Sequence, residues 1–127
     1  MYMNMTPNLM VENVSETIKF YNEILEFNIL QSVPNKDGGL QFAILEKDKL
    51  NLMVQERRNF IEEYPTLTNE KVQPSISLYI QVEDIEKLYL KLKEKHEILK
   101  EMHKTFYGTS EFAIEDNNGY VLTFTQG

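Results

Sequence analysis

Apolar and polar residues alternate along Thr6–Glu12 and then give way to apolar residues at helical spacing, the change of period that marks a strand running into a helix. The change occurs twice. Leu9-Met10-Val11-Glu12-Asn13-Val14 is echoed by Ile80-Gln81-Val82-Glu83-Asp84-Ile85, so that Val82 stands 71 residues after Val11. Internal repetition of this kind points to two copies of one supersecondary unit.

The first copy predicts a strand over Thr6–Glu12, an N-cap at Asn13 with Glu16 at capping-box spacing, and a helix ending near Glu26. Val14, Ile18, Tyr21 and Leu25 form the inward stripe of that helix, widened by Phe20 and Ile24. Strands follow over Phe27–Val33, Leu40–Glu46 and Leu50–Gln55, separated by the turn formers of Pro34–Gly39 and by Lys47-Asp48-Lys49. A short helix is expected around Asn59–Tyr64, ended by Pro65, and Thr66–Pro74 reads as a polar linker.

The second copy predicts a strand over Ser75–Val82 and an Asp84-capped helix with Ile85, Leu88, Tyr89 and Leu92 inward. The lysines between Lys87 and Lys95 take its wet side. Strands over Glu97–Met102, Glu111–Glu115 and Tyr120–Thr125 complete it, the last two joined by the turn Asp116-Asn117-Asn118-Gly119. The expectation is an α+β fold of two tandem βαβββ modules in one domain over 1–127. Module one covers about 5–56, the linker about 57–74 and module two about 75–127.

Parity then divides the strands. Leu9 and Val11, Leu50, Leu52 and Val54, Ile76, Leu78, Ile80 and Val82, and Tyr120, Leu122 and Phe124 supply an apolar face for the helices. The opposite face carries Thr6, Asn8 and Met10, Asn51, Met53 and Gln55, Ser77, Tyr79 and Gln81, and Val121, Thr123 and Thr125. Hydroxyls, amides, a tyrosine and methionines suit either a ligand cleft or a sheet face open to water.

Composition narrows the chemistry. The chain has no cysteine, which excludes disulfides, thiolate catalysis and cysteine metal sites. A net charge of −7, spread over both halves, repels nucleic acid and weakly attracts small cations. No apolar run approaches the ~20 residues of a membrane span, and Met1–Met5 has no secretory pattern, so no membrane association and a cytoplasmic location are expected. His96 and His103 are the only histidines; they are read as structural, at the end of the second helix and on the side away from the cleft.

The repeated Val-Glu-Asn/Asp-Val/Ile step, Phe20-Tyr21, and the closing run Glu111-Phe112-Ala113-Ile114-Glu115-Asp116-Asn117-Asn118-Gly119-Tyr120 resemble the vicinal oxygen chelate superfamily. Its members include glyoxalases, bleomycin-resistance proteins and extradiol dioxygenases. The resemblance implies paired βαβββ modules whose curved mixed sheet surrounds a cleft, commonly in a homodimer. Metal-dependent members bind one divalent ion at places that match Thr6, Asn51, Ser77 and Thr123. Hydroxyls and an amide are poor donors for such an ion, so no metal and no cofactor are expected.

Asp84-Ile85-Glu86-Lys87-Leu88-Tyr89, Tyr107-Gly108 and Glu111-Phe112-Ala113-Ile114 are similar to the metal-free bleomycin-resistance branch, which implies sequestration of a small organic cation. The ligand-binding residues expected on this reading are Thr6, Asn8, Met10, Asn51, Met53, Ser77, Tyr79, Tyr107, Glu111 and Thr123. Glu111 and Glu115 are candidate counter-charges. No catalytic residue is identified. An enzyme of the same superfamily with an atypical or absent metal site, or a fold retained as an interaction module, are the alternatives.

Overall fold

The computed structural model describes residues 1–127, which form two units, Met1–Gln73 and Pro74–Gly127. In the first, β1 (Asn8–Val11), α1 (Val14–Leu25), β2 (Asn28–Pro34), β3 (Leu40–Lys47), β4 (Leu50–Glu56) and α2 (Arg57–Glu63) follow in order. Its sheet runs β1-β4-β3-β2, with β1 parallel to β4 and the other pairs antiparallel. The second repeats this design with β5 (Ser77–Gln81), α3 (Ile85–Lys95), β6 (Lys100–Lys104), β7 (Ser110–Glu115) and β8 (Val121–Gln126), ordered β5-β8-β7-β6. This is the expected α+β pair of βαβββ modules, with each module making its own four-stranded sheet. No helix is long and apolar enough to cross a membrane.

In the first unit the apolar parity is buried: Leu9, Val11, Ala43, Leu45, Leu52 and Val54 meet Val14, Tyr21 and Leu25 of α1. Each of these valine and leucine side chains contributes roughly 1.5–3 kcal/mol by leaving water. Asn13 starts α1 as expected, its Oδ1 accepting from the Glu16 N–H at 2.9 Å. Thr17, rather than Ile18, completes the inner stripe, because its hydroxyl is satisfied by the Asn13 carbonyl at 2.9 Å. Ile18 is only half-buried. Glu26 closes the helix in the left-handed region (φ 63°), and the Phe27 N–H turns back to the Tyr21 carbonyl at 3.0 Å.

In the second unit α3 packs on β7 and β8, burying Ile85 and Leu92 together with Phe112, Ile114, Leu122 and Phe124, and the Phe112 and Phe124 rings stack at 5.1 Å. Four local expectations are corrected. Thr6 lies ahead of β1, which starts after Pro7 because proline has no N–H to give to the ladder. Leu50 and Ile76 are exposed, at 41% and 47%; one starts β4 and the other precedes β5, beyond the cover of the helices. Asp84 is the N-cap residue of α3 but makes no side-chain cap; it sits in the left-handed region (φ 53°), and the Ile85 N–H donates to Gln126 Oε1 at 2.8 Å. His103 is the register partner of Glu111, not a residue turned away from it, although its Nδ1 bonds back to the Glu101 carbonyl.

Candidate functional site

The turn between β7 and β8 sets the geometry of the site. Asp116 Oδ1 accepts from the N–H groups of Asn118 and Tyr120 at 2.8 and 3.0 Å, and Gly119 takes φ 95°, a value that favours glycine. The resulting register places Glu111 opposite Thr125, and Gln81 of β5 opposite Thr125 on its other side. Tyr79, two residues before Gln81, shares that face.

Glu111 is the centre of this face, only 5% exposed. Its Oε2 accepts from the hydroxyls of Tyr79, Thr109 (2.9 Å) and Thr125 (2.9 Å). The Tyr107 hydroxyl lies 3.0 Å from Oε1 and 3.1 Å from Oε2. Tyr107 and Thr109 arrive from the β6–β7 turn, which is closed by the Thr105 N–H donating to the Thr109 carbonyl at 2.9 Å, by the 2.8 Å Thr105–Thr109 hydroxyl contact and by Gly108 at φ 93°. No Lys, Arg or His forms an ion pair with Glu111.

Burial is the largest single influence on the Glu111 carboxyl and pushes its pKa up. The hydroxyls of Tyr79, Thr125, Thr109 and Tyr107 together outweigh it and bring the value down to about 2. The Tyr107 phenol moves the other way, raised by desolvation and then by its bond to Glu111. The result is a carboxylate held ionised by neutral donors, with the residues Tyr79 and Tyr107 still 58% and 55% exposed.

The remaining expected residues fall into two groups, each within its own unit. Ser77 and Thr123 are joined by a 3.0 Å hydroxyl–hydroxyl bond on β5 and β8. In the first unit Asn8 and Met10 on β1 share a face with Met53 on β4, while Asn51 is exposed near the start of β4 and Thr6 precedes β1. The four places where the resemblance would put a metal thus offer three hydroxyls and one amide. They do not fit a divalent ion, which needs imidazole or carboxylate donors. No three His, Asp or Glu side chains group elsewhere in a way that could hold one.

Two sets of residues are absent from the expected ligand-binding residues, although Gln55 and Thr125 fall on the polar face by parity. Thr109 and Thr125 complete the ring of donors around Glu111; only the alternation of β8 hinted at Thr125. Gln55, Asn59 and Glu63 form a relay in the first unit, where Gln55 Nε2 donates to Asn59 Oδ1 at 2.7 Å and to Glu63 Oε1 at 3.2 Å. Their four-residue spacing from the end of β4 into α2 was the available signal.

With this geometry in hand, comparison with known proteins is informative. Residues 5–124 match the sequence profile of the Glyoxalase/Bleomycin resistance protein/Dioxygenase superfamily. Among solved structures, TioX from Micromonospora sp. ML1 is similar at TM-score 0.75 and 15% identity, with 98% of each chain covered. A glyoxalase-related enzyme from Clostridium phytofermentans is similar at 0.76 and 15%, covering 98% of this chain and 95% of its own. A glyoxalase/bleomycin resistance protein/dioxygenase from Nocardioides reaches 0.80 at 14% identity, covering 98% and 83%. No functionally curated protein matches the chain.

Proposed function

Because the chain belongs to the Glyoxalase/Bleomycin resistance protein/Dioxygenase superfamily, we propose that it is a metal-free member that binds a small organic cation and sequesters it without chemistry. The carrying observation is Glu111, a nearly buried carboxylate satisfied by four hydroxyls and matched by no basic residue. Its charge is left for a ligand to balance. The exposed rings of Tyr79 and Tyr107 offer π faces beside that charge, the combination that attracts organic cations.

The same geometry speaks against proton transfer as the purpose of the site. A carboxyl near 2 is a weak base at neutral pH, and a phenol raised above its ordinary value is a weak acid. Neither group is poised near neutrality, where acid–base catalysis is efficient. Ser77 and Thr123, which bond to each other, add no donor suited to a metal. A homodimer and a cytoplasmic location belong to this reading, the second supported by the absence of cysteine.

Protein purified without chelator is to be assayed for bound elements and incubated with metal-free bleomycin, with binding followed by thermal shift and the drug by mass spectrometry. The reading predicts substoichiometric transition metal, a saturable rise in melting temperature and a drug of unchanged mass. Stoichiometric metal or conversion of the drug contradicts it.

A further inference from the structure

The amide relay of the first unit ends in acceptors on both sides. Glu63 can only accept, so Gln55 must turn its Nε2 toward it; the two Nε2 hydrogens are then used by Glu63 (3.2 Å) and Asn59 (2.7 Å). Gln55 Oε1 therefore faces β1 and accepts from Asn8 Nδ2 at 2.8 Å. Reversing either amide would set oxygen against oxygen or N–H against N–H. The Asn8 Oδ1 atom, closed off from solvent, consequently has no donor anywhere in the chain.

These residues stand around a depression of about 380 Å³, with the Phe42 ring on its wall and Tyr64, 52% exposed, beside Glu63. No Lys, Arg or His lines it, and Glu63 has no partner other than Gln55. The floor is Gln55, at 5% exposure. A pocket with a carboxylate at its side, matched by no basic residue, and aromatic rings beside it complements a flat cationic group rich in N–H.

We infer that the first unit carries a ligand site of its own, for an amidinium or guanidinium group attached to an aromatic ring, with Glu63 as its counter-charge. The ring lies against Phe42 and Tyr64, and its N–H groups donate to the exposed Glu63 carboxylate at the end of the relay. The site lies wholly within residues 8–64 of the first unit.

The test is a titration of the full chain with benzamidine, followed by the side-chain amide signals of Gln55 and Asn59 in ¹⁵N-correlated NMR. Saturable movement of both signals is expected, with none for benzoate, which has the same ring but no N–H. Glu63→Gln is expected to weaken binding roughly tenfold or more, as loss of a charge-assisted contact does. Tyr64→Ala, at an exposed position, is expected to weaken it without altering the backbone spectrum. Absence of saturation, equal shifts with benzoate, or unaltered affinity in either Glu63→Gln or Tyr64→Ala overturns the inference.

Discussion

Thr125 and Glu111 are register partners on β8 and β7, and the threonine hydroxyl donates to the Glu111 carboxylate at 2.9 Å. Thr125 is itself 2% exposed, so this bond forms where water does not compete. The pair shows how the fold makes a charge tolerable without a counter-ion: the hairpin register delivers a donor, and the β6–β7 turn delivers two more.

Removing one donor tests that account. Thr125→Val keeps the shape and deletes a hydroxyl, so the Glu111 titration, read from its side-chain carboxyl carbon by NMR, is expected to rise from about 2 while the chain stays folded. An unmoved midpoint would show that Thr125 does not help to hold the charge.

Glu111 also ties stability to acid. Its pKa is lowered in the folded protein from an ordinary 4.5 to about 2, so its contribution is complete above about 4.5 and disappears as pH falls toward 2. Urea unfolding of the parent chain should weaken through that window, and Glu111→Gln should lack this component. At pH 7 the same substitution should destabilise by about 1–3 kcal/mol, because an amide N–H then faces hydroxyl donors in a buried site. Parallel pH curves for parent and variant would refute the linkage.

The two helix starts are expected to respond differently. Asn13→Ala should cost about 1 kcal/mol, since the Asn13 side chain caps Glu16. Asp84 makes no such bond and occupies a positive φ, so Asp84→Gly should be neutral or stabilising by up to about 1 kcal/mol. Chemical denaturation of the two variants checks both, and an equal loss in each would be the wrong result.

The repeat was legible because it rests on local rules. Val11 ends β1 and Val82 directly follows β5, each closing a run whose alternate residues are apolar beneath a helix, and Asn13 declares a helix start by its own chemistry. Asp84 looked equivalent, yet Gln126, 41 residues from Ile85, took over the capping, and no local pattern reports a partner so distant. Thr17 displaced Ile18 for a similar reason, since a polar residue is buried cheaply once a carbonyl accepts its hydroxyl. Tyr79, Tyr107 and Glu111 could be named as candidates by parity and type, but their convergence depends on the β5–β8 and β7–β8 registers and on the β6–β7 turn. The Gln55–Asn59–Glu63 relay depends on the short helix expected around Asn59–Tyr64 starting two residues sooner, at Arg57, directly after β4.

The central claim is that ionised Glu111 with Tyr79 and Tyr107 binds an organic cation without a metal. Calorimetric titration of chelator-treated protein with metal-free bleomycin, run on the parent chain and on Glu111→Gln, tests it most directly. The account predicts saturable binding to the parent and a loss of roughly tenfold or more in the variant. Binding that appears only after a divalent metal is added, or that is equal in the two proteins, would contradict it.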